Sequence, residues 1–195
     1  MVTSRERFLI DASFIVEKTH KTFLGAPLLS AAGRNCTFTF GFLRDFLRLK
    51  RAFGINAGLV IFGREIHSVN SNQGVLSLIS TFNELGIPHI HDPLNLTLNL
   101  ARSICARFTH IITADANFLQ FTGENLIVVL LRKGTNGEWD WMSPRIVKDK
   151  IGIAPQYIPT YMTLIDSSSM VERINRWCAL LIHSVISIRS IVICR

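Results

Sequence analysis

The chain has 195 residues, of which 48% are hydrophobic and 18% are charged. This length and composition exclude an intrinsically disordered protein and predict one domain with a full hydrophobic core. Lysine and arginine number 21 against 14 aspartates and glutamates, and the formal net charge of +7 favours an anionic partner. Four widely spaced cysteines without a Cys-x-x-Cys pair argue against a zinc ribbon and predict reduced thiols in an intracellular protein.

The first element in the chain is a buried strand that ends in an acid. Met1 to Arg7 is short and polar, so we expect no cleavable signal before the apolar run from Phe8 to Asp11. Asp115 follows a second apolar run, His110-Ile-Ile-Thr-Ala, in the same way. Both carboxylates are therefore expected at the carboxyl edge of a sheet, where open α/β folds bind ligands.

Two acids at one sheet edge indicate a divalent cation, because hard oxygen ligands suit magnesium or manganese. The alternative is that Asp11 and Asp115 each cap the helix that follows, since aspartate is a favoured N-cap residue.

A helical pattern begins at Thr39, and its arginines Arg44, Arg48 and Arg51 recur at spacings of four and three. This places three guanidinium groups on one face, where they either contact phosphates or form a solvated surface. The next buried strand, Leu59 to Phe62, ends at Gly63, where a third acid would complete a metal site.

Further strands and helices alternate along the rest of the chain. His89 and His91 share one face of a short strand, a pattern that fits either metal ligands or incidental histidines. A strand from Leu126 to Leu131 leads to a basic hairpin tip that contains Lys133. Trp139 and Trp141 then form one aromatic face of a strand, and Ser143-Pro144 opens a helix.

This alternation predicts an α/β domain of three layers with a central, mainly parallel sheet. We assign residues 1–168 to this domain and residues 169–195 to an unrelated apolar tail. Arg189 and several serines interrupt the apolar tail from Trp177 to Cys194, so we expect a partly buried segment rather than a membrane anchor.

The order of these elements resembles the 5′-3′ exonuclease family, which includes the 5′ nuclease domains of bacterial DNA polymerases and the flap endonucleases. The likeness covers about Phe8 to Ser168. It rests on stretches in register: Leu9–Ser13, Phe40–Leu43, Leu59–Phe62, Leu85–Pro88, Thr113–Asp115, Trp139–Pro144, Gly152–Pro155 and Leu164–Asp166.

The resemblance implies a PIN-like fold, binding of flap, branched or 5′-ended DNA, and phosphodiester hydrolysis at a two-metal carboxylate cluster. It assigns Asp11, Asp115 and Asp166 as catalytic metal ligands for Mg²⁺ or Mn²⁺. The chain departs from the family pattern where acids are replaced: Gly63 after the second strand, Asn117 after Asp115, and Leu96 to Asn99 on the acid-bearing helix. The helix-hairpin-helix of the family has no match after Asp166.

Two functions follow from this pattern. The first is a weakened metal-dependent nuclease that binds a single ion and contacts phosphates through Arg44, Arg48, Arg51 and Lys133. The second is a catalytically inactive PIN-like module that binds nucleic acid or a protein. A small-molecule enzyme is disfavoured, because no glycine-rich phosphate loop or nucleophile elbow is present. The pattern does not decide between DNA and RNA. It also leaves open the oligomeric state and the compartment, whether nucleus or DNA-containing organelle.

Overall fold

The computed structural model of the chain describes residues 6–22, 28–33, 35–64, 72–131 and 138–166. The chain divides into two compact units, Met1–Pro155 and Gln156–Arg195. Lys133 and the apolar tail lie outside the described residues, so the predicted domain boundary at residue 168 stays a prediction.

The first unit contains one six-stranded sheet. Its strands are β1 (Phe8–Asp11), β2 (Gly58–Phe62), β3 (His89–His91), β4 (His110–Thr113), β5 (Ile127–Leu131) and β6 (Trp139–Met142). They lie in the order β3-β2-β1-β4-β5-β6. Strands β1 to β5 are parallel to one another, and β6 pairs antiparallel with β5. The prediction of an α/β fold with a mainly parallel sheet is confirmed.

Helices connect these strands. The first unit has α1 (Ser13–Thr22), α2 (Thr37–Ala52), α3 (Asn72–Glu84), α4 (Thr97–Ile104) and α5 (Pro144–Ile151), and the second unit has α6 (Ile158–Asp166). Helix α5 shows the predicted sequence signals: the Ser143 hydroxyl accepts a hydrogen bond from the Ile146 N–H, and Gly152 ends the helix at φ +85°. A residue with a Cβ would be strained in that left-handed conformation.

Both faces of the sheet are buried. Alternate strand residues such as Ile10, Val60 and Ile112 pack with α1, α2 and α3 in one hydrophobic cluster. Their neighbours Leu9, Ile61, Ile111 and Val128 point to the opposite face and are also fully buried. Fully buried strands explain the nearly continuous apolar runs in the sequence.

The hydrophobic cluster is rich in phenylalanine. The Phe42 ring of α2 lies 5.9 Å from Phe62 of β2 and 5.6 Å from Phe82 of α3, measured between ring centroids. These contacts join two helices to the central sheet, and they hold the carboxyl end of β2 against the core. No helix in the described part of the chain is long and apolar enough to cross a membrane.

Candidate functional site

The candidate site lies where the strand order of the sheet reverses. Strand β1 is paired with β2 on one side and with β4 on the other. The chain therefore leaves the carboxyl ends of β1 and β4 in opposite directions, which opens a crevice at the edge of the sheet. Asp11 is the last residue of β1, and Asp115 follows β4 by two residues. The predicted convergence of these two acids at one sheet edge is observed.

Asp11 is held by hydrogen bonds to both carboxylate oxygens. Its Oδ1 accepts from the Ser13 N–H at 2.9 Å, and its Oδ2 accepts from the Thr113 hydroxyl at 2.7 Å. The residue is only 2% exposed. The bond to Ser13 is a local turn at the start of α1, although Asp11 ends β1 and Ala12 is the residue that directly precedes the helix.

Thr113 connects the two acids. Its hydroxyl donates to Asp11 and accepts from the backbone N–H of Asp115 at 3.0 Å. Asp115 in turn caps the short 3-10 helix Ala116–Phe121, because its Oδ1 accepts from the backbone N–H and the side-chain amide of Asn117, both at 2.9 Å. Asp115 thus acts as a cap while it lies beside Asp11.

The electrostatics of the pair differ from those of a solvated carboxylate. The pKa of Asp11 is raised to about 6, mainly by burial and to a smaller extent by the negative charge of Asp115, while hydrogen bonds from Thr113 and Ser13 oppose the rise. A buried carboxylate next to a second acid is favoured in its ionised form by a nearby cation.

Hydroxyl groups continue the site toward β2. The Thr97 hydroxyl of α4 accepts from the Gly63 N–H at 2.9 Å and lies 3.2 Å from the Ser13 hydroxyl. Gly63, as predicted, directly follows the carboxyl end of β2, next to Asp11. The neighbouring positions therefore offer hydroxyls and a backbone amide where a carboxylate cluster would need acids.

The residues present fit one divalent cation. The Asp11 carboxylate accepts hydrogen bonds from the Ser13 backbone, the Ser13 side chain and the Thr113 hydroxyl, which leaves part of its acceptor capacity for an ion. Both lone pairs of Asp115 Oδ1 are used by Asn117, and within the described residues no hydrogen bond to Asp115 Oδ2 is recorded. Two carboxylates suffice for one hydrated Mg²⁺. No group of three or more potential metal ligands occurs among the described residues, so the described part does not provide a two-ion site.

The predicted arginine face lies on α2. Arg48 and Arg51 are exposed, and the Arg48 side chain is 71% exposed. The Arg44 guanidinium contacts Asp45 through Nε at 2.9 Å, and Arg48 Nη1 lies 3.8 Å from the same carboxylate. Asp45 also pairs with Lys18 at 3.3 Å. Burial alone would raise the pKa of Asp45, but the hydrogen bond from Arg44 and the charge of Lys18 hold it below the usual value. Asp45 therefore offsets part of the positive charge of this face.

Other predicted site residues are placed differently. Asp166 ends α6 in the second unit, and its side chain lies outside the described residues, so its role as a metal ligand stays a prediction. The same holds for Lys133 as a phosphate contact. His89 and His91 form β3 as predicted. The His89 Nδ1 lies 2.9 Å from the Ile87 carbonyl oxygen, and its ring packs against Phe62 and Phe82.

Sequence reasoning missed the polar residues that support the acids. Thr113, Ser13 and Thr97 are hydrogen-bonded within the site, and Asp45 binds the arginine face. The available signal was a hydroxyl residue two positions from each aspartate: Ser13 after Asp11, and Thr113 before Asp115. The spacing of Asp45 and Arg48 at i,i+3 was the sequence signal for the ion pairs of Asp45.

Several solved structures share this fold. The catalytic core of Rad2 in complex with DNA substrate aligns with a TM-score of 0.53 and 18% identity, over 77% of this chain and 50% of that chain. The D15 protein of bacteriophage T5, co-crystallized with metal ions, aligns with a TM-score of 0.53 and 8% identity, over 87% and 68%. The T5 5′-exonuclease with bound divalent metal ions (zinc) gives 0.51 and 10%, over 79% and 64%.

At these identities the likeness concerns the fold, and it confirms the PIN-like α/β fold of 5′-3′ exonucleases and flap endonucleases that the resemblance predicted. The chain spans half the length of the Rad2 catalytic core. No protein-family model matches the chain, and no curated protein matches it either.

Proposed function

We propose that this chain, which has the fold of flap endonucleases and 5′-3′ exonucleases, binds DNA with 5′ ends, flaps or branches and hydrolyses it slowly with a single divalent cation. The observation that carries the proposal is the convergence of Asp11 and Asp115 at the reversal point of the sheet, joined through the Thr113 hydroxyl. Solved structures of this fold include a complex with DNA substrate and crystals with metal ions, which supports the choice of ligand classes.

Asp11 and Asp115 Oδ2 are the proposed protein ligands of Mg²⁺ or Mn²⁺. When bound, such an ion would polarise a phosphate oxygen and make a coordinated water more acidic. The residues of the chain orient the two carboxylates and exclude water from Asp11, whose surroundings are almost fully buried. The role of Asp166, which ends α6 in the second unit, stays a proposal from the sequence resemblance.

A second candidate function is a module that binds nucleic acid without cutting it. The observation that favours it is the chain of hydroxyls from Thr97 to Ser13 beside Asp11, in positions where two ions would need carboxylates. A site with few acids holds a second ion weakly, and rapid phosphodiester hydrolysis in two-metal enzymes requires both ions.

Cleavage of a labelled 5′-flap duplex separates the two functions. With Mg²⁺ or Mn²⁺, we expect slow cleavage by the wild-type chain and at least a hundredfold loss in Asp11→Ala and in Asp115→Ala, because each removes a proposed metal ligand. Asp149→Ala removes an exposed carboxylate of α5, whose side chain is 66% exposed, and should leave the rate unchanged. Binding without cleavage by the wild type under both metals would favour the second function.

The arginine face gives a separate prediction about phosphate contacts. If α2 contacts the backbone of DNA, Arg48→Gln and Arg51→Gln should each weaken binding and reduce the slope of log K against log salt by about 1. Arg44→Gln should have a smaller effect, because the Arg44 side chain is only 27% exposed and bonds to Asp45 at 2.9 Å, whereas Arg48 is 71% exposed and lies 3.8 Å from Asp45. Arg145→Gln on α5, with a side chain that is 91% exposed, is the matched control. Equal slopes for all four variants would remove α2 from the interface.

This function requires a compartment that contains DNA. We therefore propose the nucleus or a DNA-containing organelle as the location of the chain. The binding assays include RNA as a competing ligand.

A further inference from the structure

Thr113 occupies a central position in the candidate metal site. It is the last residue of β4, is fully buried, and is hydrogen-bonded both to the carboxylate of Asp11 and to the backbone of Asp115. Asp11 and Thr113 are 102 residues apart in sequence, so this hydroxyl joins the two halves of the sheet at the level of the acids.

The direction of these two hydrogen bonds is fixed by chemistry. A backbone N–H can only donate, so the Thr113 hydroxyl accepts from Asp115 and directs its own proton to Asp11 Oδ2. Together with the Ser13 N–H on Oδ1, this bond restricts rotation of the Asp11 carboxylate about its side-chain torsion. The bond from Asp115 fixes the turn from which the second carboxylate projects.

We propose that Thr113 is a positioning residue for the divalent cation: its hydroxyl sets the relative orientation of the Asp11 and Asp115 carboxylates. The inference rests on the proposed function, because it concerns the same site. Groups that hydrogen-bond to metal ligands without touching the ion typically change metal affinity by 10- to 100-fold when they are removed. Thr113 has that relation to both proposed ligands.

The test compares the same substitution at two buried threonines. Thr113→Val removes the hydroxyl between the acids, and Thr122→Val removes a buried hydroxyl that donates to the Leu119 carbonyl oxygen. Thr122 is 8% exposed and follows the 3-10 helix Ala116–Phe121, so its variant controls for the cost of losing a buried hydrogen bond. Mn²⁺ affinity of the full chain is measured by the electron paramagnetic resonance signal of free Mn²⁺, and Mg²⁺ affinity by the metal-dependent rise in Tm.

We expect Thr113→Val to weaken Mn²⁺ binding by about 10- to 100-fold, and Thr122→Val to change it by less than about threefold. Thr113→Ser, which keeps the hydroxyl, should retain wild-type affinity. If Thr113→Val does not fold, Thr113→Ala is compared with Thr113→Ser, since that pair also differs by the hydroxyl.

Two negative results have different meanings. A wild-type chain that binds no Mn²⁺ overturns the proposed function, and the inference with it. A wild-type chain that binds Mn²⁺ while Thr113→Val binds it equally well overturns the positioning role alone. Equal losses in Thr113→Val and Thr122→Val, or a loss in Thr113→Ser as large as that in Thr113→Ala, also overturn it.

Discussion

Replacing Asp11 with asparagine is expected to stabilise the metal-free protein at neutral pH by about 2–3 kcal/mol. Burial raises the pKa of Asp11 to about 6, from 3.8 in an unfolded chain. Between about pH 4 and pH 6, Asp11 is therefore mostly protonated in the folded state and mostly ionised in the unfolded state. The stability associated with protonated Asp11 is fully present below about pH 4 and is lost as the pH rises through about 6.

Urea denaturation of both proteins in chelator, from pH 4 to pH 8, measures this difference. The advantage of Asp11→Asn in the free energy of unfolding should be small at pH 4 and reach a plateau above about pH 7. Burial lowers the pKa of His110, which gives the opposite pH dependence, but His110 is present in both proteins and cancels in the difference. A difference that does not vary with pH would contradict the burial-driven shift.

Added Mn²⁺ should reverse the order of stability. A cation that binds only the folded wild type stabilises it according to its concentration relative to Kd, whereas Asp11→Asn lacks one of the two ligands. Stabilisation of both proteins to the same extent by Mn²⁺ would mean that the ion binds elsewhere.

Phe42→Ala is expected to cost about 3–5 kcal/mol of unfolding free energy. The Phe42 ring is fully buried and lies between Phe46, Phe62 and Phe82, with centroid distances from 5.6 to 6.3 Å. Its loss leaves a cavity among α2, α3 and β2 that other rings cannot fill without leaving their rotamers. Since domains of this kind are stable by about 5–15 kcal/mol, the variant should be close to the limit of folding.

The matched control is Phe40→Ala on the same helix. Phe40 is 52% exposed, so its truncation should cost about 1 kcal/mol or less in the same urea titration. Similar losses in Phe40→Ala and Phe42→Ala would show that α2 helix propensity, rather than the aromatic cluster, determines stability. Retention of wild-type stability by Phe42→Ala would contradict the packing described for this face of the sheet.

The strands could be predicted from the sequence because burial on both faces of a parallel sheet requires continuous apolar runs. The runs that end at Asp11, Phe62 and Leu131 form β1, β2 and β5, and the alternating tryptophans form β6. Their parallel arrangement followed from the alternation with helices. Asp11 and Asp115 could be predicted as neighbours for the same reason, since parallel strands share a carboxyl edge.

The chemical state of the site could not be predicted in the same way. The pKa of Asp11 depends on its burial and on bonds from Thr113 and Ser13, one of which spans 102 residues of sequence. The ion pair of Asp45 with Lys18 likewise depends on how α1 packs against α2. Hydroxyl residues follow no periodicity in the sequence that would reveal a buried hydrogen-bond partner. The sequence therefore identifies the two acids but not the side chains that hydrogen-bond to them.

The central position of β1 has a consequence for how the protein acquires its ligand site. Its pairing partners β2 and β4 begin about 50 and 100 residues further along the chain. Asp11 therefore lies beside Asp115 only after β1 has paired with β4. A cation therefore has no complete pair of acids to bind until the long-range strand pairing is finished, which is a slow step in such topologies. The appearance of metal affinity during refolding would report the pairing of β1 with β4, later than the formation of any single helix.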